Sequence, residues 1–296
     1  MGPYIKSEML TYRVIFPILF FGILILATIG YAAPKRIASL NLCTDELLLS
    51  LADPDQIVSL TWLAREESLS AFYKPARFYH QNNGRASDVI PLNPDVVFLS
   101  EFSPASTAEL LETFGIRTVV IPEPRETEQL LENIRAMSSA IDQVEKGEQL
   151  IAHFSSRLDS IIEHKNKGPI SALLLSPGIA SFGSSSVKIE ILKLLNIRVL
   201  NQEKPSLANR YLSIEELARS SPDFLIVDKY SGEYPSVSEE MLRHPLIKSS
   251  FNTIEVEAKD WLCSTNKLIN NIEHINSKIG HYRNRSQLNR ELKANG

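Results

Sequence analysis

Ser87-Asp88-Val89-Ile90-Pro91-Leu92-Asn93-Pro94-Asp95-Val96-Val97-Phe98-Leu99 is the stretch that decides the fold. It runs from an acidic helix start through a short helix to a Pro-Asp turn, and then into four consecutive apolar residues. A short apolar run bounded by turn chemistry reads as a strand buried on both faces, the habit of parallel sheets. The arrangement returns at Glu215-Glu216-Leu217-Ala218-Arg219-Ser220-Ser221-Pro222-Asp223-Phe224-Leu225-Ile226-Val227. Pro-Asp ahead of a strand is common turn chemistry. Pro94 and Pro222, however, stand about one lobe apart and at equivalent places in their surroundings, which points to two equivalent α/β units.

The segments around the first copy alternate in the same way. Arg36 to Leu42 reads as a strand, and Thr44 or Asp45 can cap a helix through Leu47, Leu48 and Leu51 that stops at Asp53-Pro54. Ile57 to Leu60 is a second strand, and residues 64–83 have no clear period and read as a loop or irregular helix. Ser103-Pro104 opens a helix with Leu110, Leu111 and Phe114 facing inward, ended by Gly115. Thr118 to Ile121 is a strand, followed by a helix carrying Leu130, Leu131, Ile134 and Met137. From 143 to 165 a longer helix shows one narrow apolar stripe of Val144, Gly147, Ile151, Phe154, Leu158 and Ile161.

After Gly168-Pro169 the alternation resumes, with strands at 170–175, 199–200, 224–227 and 253–256. A small-residue loop spans Gly178 to Ser186, and helices are expected at 188–195, 213–219, 237–242 and 268–279. Strands alternating with helices imply mainly parallel sheets covered on both faces. The expected fold class is therefore α/β, with two Rossmann-like lobes joined by a single long helix. The expected organisation is a leader at 1–32, a lobe at 33–141, the linking helix at 142–167, a second lobe at 168–282 and a polar tail at 283–296.

Composition excludes several classes. The 296 residues are 44% apolar and 22% charged, with a formal net charge of -4. That balance offers no basic stripe for nucleic acid. Lys6 and Arg13 precede an apolar run from Val14 to Ile29, and small residues at Gly30 and Ala32 suit a signal peptidase cutting after Ala32. The same run is near the ~20 residues that span a bilayer, so a retained anchor is the competing reading. Both place the remainder outside the cytoplasm, and the first places it in the periplasm.

No G-x-S-x-G, P-loop or H-E-x-x-H occurs, and Gly178-Ile179-Ala180-Ser181-Phe182-Gly183 lacks the dinucleotide spacing, so no enzyme is expected. The six histidines do not pair at ligand spacing, so neither a metal site nor a resident cofactor is expected.

Arg36 to Leu47, the two Pro-Asp strand entries, the central helix and the Asp260-Trp261 element together resemble the iron-complex and vitamin B12 periplasmic-binding proteins. These are the solute-binding components of ABC importers built around one rigid helix. The resemblance covers about residues 36–280 and implies a small ligand in a cleft between the lobes, little hinge motion and a monomer. The ligand would be cobalamin or an iron chelate, siderophore or haem, passed to a permease in the inner membrane. A membrane-tethered sensor or interaction module reusing the fold is the alternative.

In open parallel sheets ligands sit beyond the carboxyl ends of the strands. The candidate ligand residues there are Asn41, Cys43, Thr44, Trp62, Tyr79, His80 and Phe102 in lobe one, and Phe182, Tyr230, Trp261 and Cys263 in lobe two. Aromatic groups with few charges suit a large, partly flat ligand such as a corrinoid, haem or ferric siderophore. The same aromatics could instead fill the core, and His80 could be an ordinary surface residue. Cys43 and Cys263 fall at cleft-edge positions of opposite lobes, and three roles stay open: a disulfide across the cleft, thiols touching ligand, or buried apolar fillers. The resemblance further implies one surface carboxylate per lobe meeting permease arginines. Glu215 matches in lobe two; the lobe-one position is Ser87, with Asp88 beside it as the substitute.

Overall fold

The computed structural model describes residues 36–165, 167–176, 180–181, 186–200, 210–230 and 245–294. The leader, Phe182, most of the Gly178–Ser186 loop and the helix expected at 237–242 lie outside the described residues. No helix among those described is long and apolar enough to cross a membrane.

Lobe one holds strands β1 (Ile37–Ser39), β2 (Ile57–Thr61), β3 (His80–Asn82), β4 (Val96–Ser100) and β5 (Arg117–Ile121). They form one parallel sheet in the order β3-β2-β1-β4-β5. Its helices are α1 (Leu42–Leu51), α2 (Tyr73–Ala76), α3 (Ala86–Val89), α4 (Ala105–Thr113) and α5 (Thr127–Ala140). A single helix, α6 (Val144–Glu163), leads out of this lobe.

Lobe two holds β6 (Ile170–Ser176), β7 (Ala180–Ser181), β8 (Ile197–Val199), β9 (Arg210–Tyr211), β10 (Phe224–Lys229) and β11 (Thr253–Glu257). β11, β10, β6 and β8 run parallel in that order, and β7 and β9 add a short antiparallel extension. Its helices are α7 (Val187–Leu194), α8 (Ile214–Ser220), α9 (Pro245–Ser250), α10 (Ala258–Trp261) and α11 (Leu268–Ala294). The two-lobe α/β architecture joined by the long helix α6 is as the sequence predicts, whereas the helix expected at 268–279 runs on as α11 through the expected polar tail to Ala294.

The repeated Pro-Asp element has a mechanical role. Asn93 and Ser221, each just before the proline, adopt the left-handed conformation, with φ of 44° and 40°. That turn carries the following aspartate back to the start of the lobe's first strand. Asp95 accepts the Arg36 backbone N–H at 3.0 Å, and Asp223 accepts the Ser171 N–H at 2.7 Å. Each aspartate thus pins the central pair of its sheet, β1 to β4 and β6 to β10. Without it, the Arg36 or Ser171 donor would lose this partner at the sheet's end.

α6 is fixed at both ends. Lys146 and Gln143 reach Asp53 of lobe one at 2.6 and 2.8 Å, and that pairing holds the Asp53 carboxyl below its ordinary range. Arg157 grips Glu273 of α11 with two bonds of 2.8 and 2.7 Å, the fork geometry that arginine favours. Gly147 lies so close to α5 that an added Cβ would meet Ser138 Cβ at 2.6 Å.

Several local expectations are corrected. The helix after β1 is capped by Asn41, not by Thr44 or Asp45: the Asn41 side chain accepts the Cys43 N–H at 2.9 Å and the Thr44 N–H at 3.4 Å. Thr44 and Asp45 point inward and are buried. Residues 64–83 contain α2 and the edge strand β3, too short to show a period. In α4 only Leu111 faces inward; Leu110 and Phe114 are exposed, because one helix on one sheet face buries a single narrow strip. Val144 is exposed as well, at the first turn of α6.

Candidate functional site

The carboxyl edges of the two parallel sheets face each other, and their joining residues come from the turns at those edges. Three consecutive residues after α10 carry the junction. Cys263 forms a disulfide with Cys43 at the start of α1, with a Cα–Cα distance of 5.2 Å. Ser264 donates to Glu123, just past β5, at 2.6 Å. Thr265 donates to Glu46 of α1 at 3.2 Å. A fourth link joins the helices: Glu190 of α7 accepts both the backbone N–H and the hydroxyl of Thr127, at 2.8 and 2.6 Å. A carboxylate from one lobe thereby satisfies the amino terminus of a helix in the other.

The junction is buried and polar. Glu46 also accepts the Ala71 N–H at 3.1 Å, and desolvation raises its carboxyl to about 7 against these bonds. Its neighbour Asp45 turns the other way, to the backbone and hydroxyl of Thr61. Burial raises Asp45 to about 7 as well. On the lobe-two side, Lys188 is buried, its Nζ 5.5 Å from the centre of the Trp261 ring and 3.5 Å from the Leu262 carbonyl. Burial lowers its pKa, while Asp228 and Glu123 favour the charged form. Asp228 accepts the Ser176 hydroxyl at 2.7 Å and is raised by burial to about 6.

This geometry divides the residues singled out in the sequence. Cys43, Thr44, Trp261 and Cys263 belong to the sealed junction and not to an open wall. Cys43 and Cys263 are disulfide-bonded, Thr44 hydrogen-bonds Ser39 at 2.7 Å, and Trp261 is 0% exposed. Among the three roles for the cysteines, the structure has the cross-lobe disulfide. Asn41 is half-buried and occupied as the α1 cap.

Trp62, directly after β2, and Phe102, two residues after β4, are 41% and 68% exposed at the carboxyl edge. They flank β1, where the strand order reverses, the position at which open α/β sheets bind ligands. Tyr230 directly follows β10 and is half-buried. Tyr79 is half-buried against the core and its carbonyl accepts from Arg65. His80 is exposed at the start of edge strand β3, level with Ser59 in the middle of β2, and so is set back from the edge. Phe182 lies outside the described residues.

Glu215 is exposed in the first turn of α8, beside the Ser213–Glu216 capping box. Asp88 is half-buried and accepts the Asn83 N–H at 2.8 Å. Sequence reasoning missed Glu46, Glu123, Lys188, Glu190, Ser264 and Thr265. Partners 63 to 219 positions apart leave no periodic or motif signal.

A concavity of about 570 Å³ lies on the flank of lobe two between β11 and α11. Its charges are mixed, Lys229 standing 3.8 Å from Glu257, and it is set against an edge strand rather than where the strand order reverses. The facing edges are therefore the candidate site.

Two Rossmann-like lobes on one continuous helix, with aromatic groups at facing carboxyl edges, define a two-lobed solute-binding protein. A family model described as periplasmic binding protein matches residues 37–253, and the chain belongs to that family. The family is one of binding proteins, not of enzymes. A comparison with curated protein sequences finds no match. Solved structures resemble it in fold. A periplasmic heme-binding protein from Roseiflexus sp. RS-1 is 17% identical, with 82% of this chain and 96% of that one covered and a TM-score of 0.66. A periplasmic vitamin B12 binding protein of Vibrio cholerae is 15% identical, with 83% and 96% covered and a TM-score of 0.62. An ABC-type Fe3+-hydroxamate transport system protein from Saccharomonospora viridis is 16% identical, with 84% and 94% covered and a TM-score of 0.62.

Proposed function

We propose that this chain is the periplasmic receptor of an ABC importer and that it captures cobalamin or an iron chelate, siderophore or haem, between its lobes. The observation that carries this reading is the pair Trp62 and Phe102, large apolar faces left in water on either side of β1. Exposed aromatics at a strand-order reversal are poorly explained by folding and well suited to a wide, partly flat ligand. The heme, vitamin B12 and Fe3+-hydroxamate proteins of similar fold support the ligand class.

The mode of action is binding with little closure. α6 is tied to Asp53 at one end and to Glu273 at the other, and the disulfide joins the two carboxyl edges directly. The ligand is therefore taken at the mouth, above a fixed floor, and the loaded receptor is presented to a permease through Glu215 and, on lobe one, Asp88. Residues 1–32 serve as the export leader.

Titration of the purified protein with cyanocobalamin, haemin and a ferric siderophore, followed by tryptophan emission, tests the reading. One of them is expected to bind and to change the emission of Trp62. Failure of all three to bind would refute it.

A further inference from the structure

A second feature of the same mouth speaks to the charge of the ligand. α2 stands over the β2 and β3 side of lobe one and meets α10 and the start of α11 from lobe two. Three cations surround the ring of Tyr73: Lys74 Nζ at 5.7 Å, Arg77 Cζ at 5.5 Å and, from the other lobe, Lys259 Nζ at 5.9 Å from its centre. Beside it, Lys267 Nζ of lobe two lies 4.6 Å from the centre of the Phe72 ring. Lys74, Arg77 and the neighbouring Phe78 are exposed, Phe78 at 89%.

Among the described residues, none of these four cations has a carboxylate at ion-pair distance. Two acids of the adjoining elements, Glu46 and Asp260, are engaged elsewhere. Glu46 is held by Ala71 and Thr265, and Asp260 accepts from the Asn270 amide at 3.0 Å. Aromatic faces attract a cation but leave its N–H donors unused. Four like charges gathered on a chain of net charge -4, two from each lobe, repel one another unless an anion joins them.

We propose that this patch is an anion subsite of the ligand mouth: it receives the carboxylate groups of an anionic metal chelate or porphyrin, clasped between Lys74 and Arg77 of lobe one and Lys259 and Lys267 of lobe two. The proposal rests on the receptor reading above and narrows it. A neutral corrinoid would leave the four cations without a partner, whereas ferric citrate or haem supplies carboxylates. Because each lobe contributes two of the cations, the subsite exists only in the docked arrangement that the disulfide and α6 maintain.

The test is equilibrium titration of the full-length processed protein with ferric citrate, haemin and cyanocobalamin, at about 0.05 M and about 0.5 M salt. The variants are Lys259→Gln/Lys267→Gln, Lys74→Gln/Arg77→Gln, and the charge-keeping Lys259→Arg/Lys267→Arg, each checked for an unchanged melting temperature. Ferric citrate or haemin is expected to bind more tightly at low salt. Each Gln pair should weaken that binding by ~10-fold, and the Arg pair should keep it. Binding of cyanocobalamin alone, equal in wild type and both Gln variants, would overturn the anion subsite and leave the receptor reading standing. No binding of any of the three, nor of the ferric siderophore of the receptor test, would overturn both.

Discussion

The Cys43–Cys263 bridge is the one covalent link between the lobes among the described residues, and removing it has a calculable consequence. The bridge closes a loop across a sequence separation of 220 residues, nearly the whole of the folded region. In the chain-entropy account a loop of that length, left uncrosslinked, gives the unfolded ensemble about 5 kcal/mol of additional stabilisation. That is a large part of the ~5–15 kcal/mol by which domains are stable. For a chain of this size the loss corresponds to a melting temperature lower by roughly 10–20 °C. The double variant Cys43→Ala/Cys263→Ala is the cleaner perturbation, since it leaves no buried thiol or hydroxyl beside Trp261. Calorimetry of wild type, of wild type with a thiol-free reductant and of the double variant measures the effect. Both perturbed samples should melt at the same lowered temperature, still in one transition, because Ser264–Glu123, Thr265–Glu46 and Thr127–Glu190 keep the lobes docked. A melting temperature within about 2 °C of wild type would refute the reasoning, since even ~1 kcal/mol is visible on this scale. So would two free thiols in protein recovered from an oxidising compartment.

Other expectations follow from the same geometry. Asp45 and Glu46 are raised by burial to about 7, so the native state binds more protons than the unfolded chain between roughly pH 4.5 and 7, and stability should fall as pH rises through that window; melting curves that instead rise across it, or that Asp45→Asn/Glu46→Gln leaves unaltered, would contradict the assignment. Trp261→Ala should cost ~3–5 kcal/mol of stability as a core truncation, whereas Trp62→Ala should leave the melting temperature near wild type and weaken ligand binding by ~1–3 kcal/mol; denaturant titration and ligand titration of the two variants separate these roles. Gly147→Ala should destabilise by ~1–3 kcal/mol through the contact with Ser138, and Gly147→Ala/Ser138→Gly should recover most of it in the same denaturant assay. Glu215→Lys with Asp88→Lys should leave ligand affinity intact and slow uptake in cells; normal uptake would remove both from the docking surface.

The path from sequence to structure was open wherever the signal is local. The apolar runs at Val96 to Leu99 and Phe224 to Val227 and the Pro-Asp turns before them announce parallel strands, because a strand buried on both faces must be apolar throughout. The stripe from Gly147 to Ile161 announces one long helix, because a helix covering a core repeats its contacts every three to four residues. These features were enough to determine two α/β lobes and the order of their main elements, though not the short β3, β7, β9 and α2. Leu110, Phe114 and Val144 mark the limit even there, since periodicity says which residues share a face but not how far the neighbouring lobe extends over it.

What only the tertiary structure decided is which of the residues at that edge remain open. Cys43, Trp62, Phe102, Trp261 and Cys263 are equivalent in sequence, each just past a strand or strand-following turn. Docking of the lobes leaves Trp261 and Cys263 buried and Cys43 half-buried in its disulfide, with Trp62 and Phe102 in water. The cation cluster around Tyr73 and the junction at Glu46, Glu123 and Lys188 likewise exist only once residues about 60 to 220 positions apart are brought together. Ionisation, pairing and burial depend on distances in space, and a linear pattern encodes those distances only within an element, not between two lobes that meet across a cleft.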